Sequence, residues 1–273
     1  MNTSEKSLSF SIATFNVHMW VDAQFEDNYE RVLKLVRSHA PDILCLQEAT
    51  GEKKTKFSIE TGYKHFVSWG GCAIYSNSPI EVIYHKPTEE TNVGEIARYP
   101  KNARIITAAI KPKGADKPDF PESIYVTCLH LDHAREPRRL REVDIIKRTV
   151  DNLVQRRETN GMFHIWVGDF NALTKEDYSE DGWQDIARIR KCNAWESPHV
   201  DLTTKVKGFG MLDCWELAGK PPPIKTCRFD TRIDYLFITP SLLDHWEVAE
   251  VQTVEDSASD HNMVIALFKA KSG

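Results

Sequence analysis

Several features are missing from this sequence, and each absence excludes a class of protein. No two of the six cysteines have C-x-x-C spacing, which argues against a zinc knuckle. No apolar run approaches the roughly 18 residues needed to cross a bilayer, so we expect no membrane span. The first ten residues, MNTSEKSLSF, lack the charged and apolar regions of a signal peptide. We therefore expect an intracellular protein, cytoplasmic or nuclear, with reduced cysteines.

An excess of positive charge is also missing. The chain has 35 Lys and Arg against 40 Asp and Glu, which gives a formal net charge of −5. This balance argues against a protein that coats nucleic acid through a generally basic surface. It leaves room for an enzyme that binds phosphates through a few local cations and a metal ion.

Internal repeats, low-complexity segments and shifts of composition are absent as well. The 273 residues are 41% hydrophobic and 27% charged, which is ordinary for a globular protein. We therefore expect one domain over residues 8–270, preceded by a disordered tail at residues 1–7, in a monomeric protein.

The apolar pattern predicts more strands than helices. Apolar runs typical of buried strands occur at 42–47 and 163–168. Helical spacing of apolar residues predicts helices over 29–40 and 138–157, and the first should end at Pro41. Further predicted elements are strands at 8–17, 80–85, 103–111, 123–130, 232–239, 246–254 and 263–268, a hairpin around Gly70-Gly71, and a loop-rich region at 172–228 with a helix at 183–192. We expect sheets packed on each other with helices outside.

Polar residues that can bind a metal ion repeatedly follow or flank the predicted strands. Such groups are costly to bury unless they are paired or bound to a cation. A single one is usually an ordinary turn or cap, but six such strand ends in one chain are hard to explain in that way. The residues concerned are Asn16, Glu48, His130, Asp169, Asn171, Asp234, Asp260 and His261. If the strands form two packed sheets, these ends can converge on one rim and form a carboxylate-rich Mg²⁺ site.

At these positions the sequence resembles the endonuclease/exonuclease/phosphatase superfamily. The motifs, in family order, are ATFNVH, LQEAT, CLHLDH, VGDFNAL, RIDYLFIT and SASDHNMVIAL, and they run from Thr14 to His261. No single motif is specific, whereas six in the right order are. The resemblance implies an α/β (α+β) fold, a four-layer sandwich of two packed mixed β-sheets flanked by helices. It also implies a single catalytic domain and hydrolysis of phosphoester bonds with Mg²⁺, for which Mn²⁺ can substitute.

The resemblance also implies a role for each site residue. Glu48 matches the central metal ligand, with Asn16 and Asp260 in or next to the metal shell. Asp169 matches the residue that orients or deprotonates the attacking water, or in some schemes protonates the leaving group.

The remaining motif residues match groups that contact the phosphate. Asn171 would position the phosphate or the water, and His261 matches the histidine that donates to a non-bridging phosphate oxygen. Asp234 matches the carboxylate paired with that imidazole, and His130 matches a second histidine that contacts the phosphate in many members.

Arginines at two places in the sequence are candidates for substrate binding. Arg104 follows a motif-like position that often carries a phosphate-facing arginine, although a surface arginine is equally consistent with the sequence. Arg138 lies in the first turn of the predicted 138–157 helix, which directly follows HLDH. There Arg138, or Arg135 or Arg139 near it, could reach a substrate phosphate with the help of the helix N-terminus. Most other basic residues of that helix are expected on a solvated face.

The substrate stays open at this level, because the motifs depart from each subfamily pattern. The first hypothesis is a nuclease or nucleic-acid-end-processing phosphodiesterase acting on DNA or RNA. The alternative is a phosphoesterase for a small molecule or lipid head group, similar to sphingomyelinases or inositol phosphatases, and the third is an inactive binding protein. Five aromatic residues of the loop-rich region could stack on bases or simply pack on the sandwich: Trp183, Trp195, Phe209, Trp215 and Phe229.

Overall fold

The computed structural model describes residues 8–84, 104–112, 123–157, 163–222 and 225–271. The predicted tail at residues 1–7 lies outside this part of the chain. The strands are β1 (Ser9–Asn16), β2 (Ile43–Gln47), β3 (His65–Trp69), β4 (Cys72–Ser76), β5 (Ile80–Tyr84), β6 (Ile105–Ile110), β7 (Ile124–His130), β8 (His164–Asp169), β9 (Leu212–Asp213), β10 (Asp234–Ile238), β11 (Trp246–Val254) and β12 (Met263–Ala270). The α-helices are α1 (Tyr29–His39), α2 (Lys53–Thr61), α3 (Glu136–Arg157), α4 (Glu180–Cys192), α5 (Asp201–Gly208) and α6 (Cys214–Leu217).

The strands form two mixed sheets of six strands each. The first sheet has the order β11-β12-β1-β2-β4-β3, and the second has the order β5-β6-β7-β8-β10-β9. Each contains a central parallel pair, β1 with β2 and β7 with β8, next to antiparallel neighbours. The predicted hairpin around Gly70-Gly71 is formed by β3 and β4.

Three apolar layers hold this arrangement together. The layer between the sheets receives side chains from both of them, including Ile12, Cys45, Ile74, Val126, Val167 and Leu236. The outer face of the first sheet is covered by α1 and α2 through Val32, Val36 and Phe57. The outer face of the second is covered by α3 and α5 through Val143, Ile146, Leu202 and Val206. The predicted four-layer sandwich is therefore confirmed.

Helix α1 illustrates how the sequence pattern produces an element. Tyr29, Val32, Leu33 and Val36 recur at helical spacing and are all buried on the face that meets the sheet. The helix ends where Ala40 adopts a left-handed conformation (φ 42°) before Pro41, as predicted.

Some short elements escaped the sequence analysis. Helix α2 was not predicted, because Phe57 is its one fully buried apolar residue and a single residue gives no apolar pattern at helical spacing. The region 172–228 is also more regular than expected: α4 begins at Glu180, capped by the Ser179 hydroxyl, and α5, β9 and α6 follow. No helix in the described ranges is long and apolar enough to cross a membrane.

Candidate active site

The ends of strands from both sheets meet at one edge of the sandwich. Asn16 ends β1 and Glu48 directly follows β2, its parallel neighbour. In the second sheet, His130 is paired with Asp169, and Asp169 is paired with Asp234. Parallel strands end on the same side of a sheet and an antiparallel neighbour begins there, so this register brings the polar residues together.

Asn16 connects the two sheets at this edge. Its Nδ2 donates to Asp169 Oδ2 at 3.1 Å and to Glu48 Oε1 at 3.4 Å. Its Oδ1 accepts a hydrogen bond from the backbone N–H of His18 at 2.9 Å. The amide group therefore faces both carboxylates with its nitrogen, not with its oxygen.

His261 and Asp234 form a buried pair. His261 Nδ1 lies 2.9 Å from Asp234 Oδ2, although the two residues are 27 positions apart. Burial opposes a charge on the ring, but the Asp234 carboxylate, its hydrogen bond and the charge of Asp169 outweigh it, so the pKa of His261 is raised well above its usual value. The ring is therefore a cation whose Nε2–H points away from Asp234.

Asp169 lies between these groups with an altered acidity. Its Oδ2 is 3.8 Å from His261 Nε2 and 3.6 Å from His130 Nε2. Burial and the nearby charge of Asp234 raise the pKa of Asp169 to about 7, against the opposing effects of His261 and Asn16. A carboxyl group of this acidity can take up or release a proton near neutral pH.

His130 differs from His261 in its charge. It is 3% exposed, and burial together with the positive charges of Arg104 and His261 holds the pKa of His130 well below its usual value. Its Nε2 is 3.8 Å from Glu48 Oε1, while its buried Nδ1 has no hydrogen-bond partner among the described residues. The two histidines therefore offer the site one neutral and one charged imidazole.

Two of the site residues have strained backbones. Glu48 and Asn171 have φ angles of 55° and 50°, in the left-handed region that non-glycine residues seldom occupy. Asn171 is held there by its N–H, which donates to Asp169 Oδ1, and by its Nδ2, which donates to the carbonyl of Leu131. Such outliers cost about 1–3 kcal/mol each and cluster at functional sites.

A cavity of about 550 Å³ opens at this edge. Eight of the ten predicted site residues line it, namely Asn16, Glu48, Arg104, His130, Asp169, Asn171, Asp260 and His261. Asp234 lies behind His261 and is 2% exposed, with its Oδ2 facing Nδ1 of the ring. Arg104 reaches the cavity while donating to the carbonyl of Leu131 at 3.0 Å.

The tenth residue, Arg138, is not brought into the site. Its side chain is 58% exposed and pairs with Asp132 at 3.2 Å, and it is absent from the described residues that line the cavity. The reason is its position on α3, where the neighbouring residue Arg139 takes the inward direction and is buried. The structure therefore does not bring Arg138 to the cavity.

The cavity also contains residues that the sequence analysis missed. Arg190 on α4 and Arg228, between Cys227 and Phe229, both line it. No motif marks either residue. Arg190 lies in the predicted helix 183–192, and Arg228 lies at the end of the region predicted to be loop-rich. His18, the last residue of ATFNVH, also lines the cavity, and its buried Nδ1 is 3.7 Å from Asp260 Oδ1.

The donor set fits a hard divalent cation. Glu48, Asp169 and Asp260 bring three carboxylates to one cavity, and the groups around them are mainly amides and imidazoles. Arg228 is 3.7 Å from Asp260, too far for a close ion pair. Carboxylate oxygens suit Mg²⁺ or Mn²⁺. Glu48 and Asp260 could hold such an ion directly, whereas Asn16 would have to turn its amide over to present Oδ1.

Comparison with known proteins gives a match over most of the chain. The family model described as endonuclease/exonuclease/phosphatase family matches residues 13–261. No curated protein matches the chain at a significant level.

Several solved structures share the fold. A functionally unknown conserved protein from Enterococcus faecalis V583 has a TM-score of 0.66 at 17% identity, over 96% of this chain and 100% of that chain. The human Nocturnin catalytic domain with a bound sulfate anion has a TM-score of 0.63 at 16% identity, over 97% and 94% of the two chains. A mannosyl-6-phosphatase from Bacteroides thetaiotaomicron VPI-5482 has a TM-score of 0.61 at 15% identity, over 95% and 99%. At these identities the likeness concerns the fold alone.

Proposed function

The chain belongs to the endonuclease/exonuclease/phosphatase family, and from this premise we propose that it is a Mg²⁺-dependent phosphodiester hydrolase whose substrate is a nucleic acid. Members of this family are hydrolases of phosphoester bonds that typically depend on a divalent metal ion. The observation that carries the proposal is the position of Asp169, within 4 Å of Asn16, His130 and His261 at one edge of the cavity.

The proposed mechanism uses proton transfer and charge stabilisation by neighbouring groups. Asp169 Oδ2 takes a proton from the attacking water, which its pKa of about 7 permits at neutral pH. The water oxygen then bonds to phosphorus as the bond from phosphorus to the leaving oxygen breaks, and the leaving oxygen takes up a proton from solvent. Asn171 fixes the Asp169 carboxylate through the bond from its N–H to Oδ1.

The phosphate is bound mainly through the two imidazoles. His261 donates its Nε2–H to a non-bridging oxygen and neutralises the charge that develops there, while Asp234 holds the ring in place through Nδ1. His130, as a neutral ring, adds an uncharged donor at Nε2. Mg²⁺, held by Glu48 and Asp260 with Asn16 beside it, would supply a further positive charge at the phosphate oxygens.

The nucleic-acid substrate is supported by the guanidinium groups at the cavity. Arg104, Arg190 and Arg228 line it, so cations are available for more than one phosphate although the whole chain is acidic. We also propose that residues 8–270 act as one catalytic domain, since the site takes residues from both sheets and neither sheet could form it alone.

A small phosphoester is the second candidate, and a specific observation favours it. A cavity of about 550 Å³ is in the size range of small-molecule sites, and the net charge of −5 provides no broad basic surface for a polymer. Salt dependence separates the two candidates. The affinity for a nucleic acid should fall steeply with salt, whereas the affinity for a small substrate should fall little.

The test is a hydrolysis screen with metal-stripped protein. DNA and RNA, single- and double-stranded, and small phosphodiesters are incubated with the EDTA-treated protein before and after addition of Mg²⁺ or Mn²⁺. We expect no turnover without metal and recovery with either ion, and Asp169→Asn should remain inactive in both states. Full activity in the metal-stripped protein would contradict the metal requirement. A preference for small phosphodiesters would show that the substrate is a small molecule and not a nucleic acid.

A further inference from the structure

The five aromatic residues that could either stack on bases or pack on the sandwich have separate roles in the structure. Trp183 packs against Tyr178, Phe209 packs against Trp166, and Trp215 packs against the core between the sheets. Trp195 and Phe229 alone among the five line the cavity. The structure therefore shows which of these aromatic residues face the cavity and which pack on the sandwich.

Trp195 and Phe229 form an exposed pair. Their ring centroids are 4.8 Å apart at an interplanar angle of 80°, an edge-to-face arrangement. Trp195 is 44% exposed and Phe229 is 40% exposed, although burying an aromatic ring away from water would lower the free energy of the protein. Large apolar surface left open in a polar cavity is typical of a ligand-binding wall.

Arg228 connects this pair to the catalytic residues. Its guanidinium group lies 4.8 Å from the centroid of the Phe229 ring, and its Nε is 3.7 Å from Asp260 Oδ2. Arg228 is also anchored by its backbone N–H, which donates to the carbonyl of Asp260 at 2.8 Å. The flat guanidinium and the aromatic rings thus lie next to the proposed metal and phosphate site.

The loop that carries Trp195 is fixed to α3. Glu196 accepts hydrogen bonds from the backbone N–H of Glu136 at 2.6 Å and from Arg139 at 2.5 Å. Arg139 and Glu136 are each 2% exposed and also pair with each other. Trp195 itself donates its backbone N–H to the carbonyl of Arg190. The wall is therefore held in place before any ligand arrives, which lowers the entropy cost of binding.

We propose that Trp195, Phe229 and Arg228 form a stacking site for a nucleobase attached to the phosphate that the enzyme cleaves. A nucleobase is a flat π-system, and both aromatic rings and guanidinium groups stack on such surfaces. This inference rests on the proposed phosphodiesterase function and specifies the substrate as a nucleotide-containing one.

Binding tests the stacking site without any turnover. AMP and ribose 5-phosphate share the phosphate and the sugar, and only AMP carries a base. By isothermal titration calorimetry with Mg²⁺ present, we expect AMP to bind at least about tenfold more tightly to the unaltered protein. The Trp195→Leu/Phe229→Leu protein should lose this advantage, whereas Trp183→Leu, an aromatic substitution outside the cavity wall, should keep it. Equal affinities for AMP and ribose 5-phosphate in the unaltered protein would overturn the proposal.

A hydrolysis assay is the second test of the stacking site. A thymidine dinucleotide is compared with two analogues. In each analogue one of the two sugars is replaced by a tetrahydrofuran ring that carries hydrogen in place of the base. We expect kcat/KM to fall at least about tenfold for one of the two base-less analogues, and the Trp195→Leu/Phe229→Leu protein to cleave all three at similar rates. If every phosphodiester is cleaved equally well by the unaltered protein, the stacking site is wrong while the hydrolase stands. If none is cleaved and the wider hydrolysis screen is also negative, but AMP keeps its advantage, the hydrolase is wrong and the stacking site stands. Circular dichroism and thermal unfolding check that each variant is folded.

Discussion

Glu48 is the residue whose replacement tests the proposed metal site most directly. Its carboxylate lies near Asn16 and His130 on a strained backbone, so its position is closely defined. Glu48→Gln keeps the shape and removes one charge. We expect kcat/KM to fall by at least about 100-fold and Mn²⁺ affinity, measured by calorimetry, to weaken. The exposed Glu52→Gln is the matched control, and unchanged turnover of Glu48→Gln at saturating Mg²⁺ would remove Glu48 from the site.

The pair of Asp234 and His261 should behave as one unit. In the proposed mechanism Asp234 acts through the ring that it contacts, so losing the ring makes the carboxylate redundant. We expect His261→Ala to lower kcat by a large factor and a further Asp234→Asn change to lower it little more. The measurement is a double-mutant cycle on kcat. Two losses that multiply would mean that Asp234 does not act through His261.

At the scale of the elements, the contact between β7 and β8 depends on one glycine. Gly168 has a φ of 145°, and a Cβ placed on it would lie 1.9 Å from the carbonyl oxygen of Leu129. This close approach sets His130 beside Asp169. We expect Gly168→Ala to lower the free energy of unfolding by about 3 kcal/mol or more, measured by urea titration. Gly208→Ala, at the end of α5 with open space around it, should change it by less than about 1 kcal/mol, and equal effects would argue against the contact.

The attachment of the Trp195 loop to α3 gives a second prediction at this scale. Arg139→Met would leave the buried Glu136 carboxylate without its charged partner. We expect a loss of about 3 kcal/mol in the free energy of unfolding, since an unpaired buried charge is costly. Adding Glu136→Gln should recover part of it. The neighbouring Arg138→Ala, at an exposed pair, should cost less than about 1 kcal/mol; a similarly small effect of Arg139→Met would contradict the role of this ion pair.

At the scale of the whole molecule, acid stability should depend on a histidine at the opposite end of β8 from Asp169. His164 is fully buried, accepts a hydrogen bond from Trp166 Nε1 at Nδ1, and contacts Thr127 Oγ1 through Nε2. Burial lowers the pKa of His164 from 6.5 to about 3. The unfolded chain therefore binds more protons than the folded one between these values, and stability falls as the pH falls below 6.5.

The corresponding measurement compares two pH values. Between about pH 7.5 and 5.5, the unaltered protein should lose about 1.4 kcal/mol more unfolding free energy than His164→Gln, which can keep both hydrogen bonds without titrating. Parallel pH profiles of the two proteins in urea unfolding would show that His164 does not limit acid stability.

The sequence by itself determined much of the sandwich and named eight of the residues that line the cavity. Strands such as β2 and β8 are continuous apolar runs because both faces of each are buried, and α1 has a full apolar stripe. These patterns are local, so they can be read without the fold. The short helices α2 and α5 were missed because each is stabilised by one or a few buried side chains and by its neighbours, not by its own periodicity.

Only the tertiary structure decided how the site residues meet. Asn16 donates a hydrogen bond to Asp169, which lies 153 positions further along the chain. Trp195 and Phe229 lie in two different segments between β8 and β10, and their rings meet only because the fold brings these segments together. The motifs named the polar residues at the strand ends. No local pattern shows which aromatic residue faces the cavity or that Arg190 and Arg228 line it. Nor does a local pattern show that Arg139 points inward while Arg138 points outward. Strand register, helix direction and packing between distant segments fix these contacts, because each depends on where a neighbouring element presents its surface.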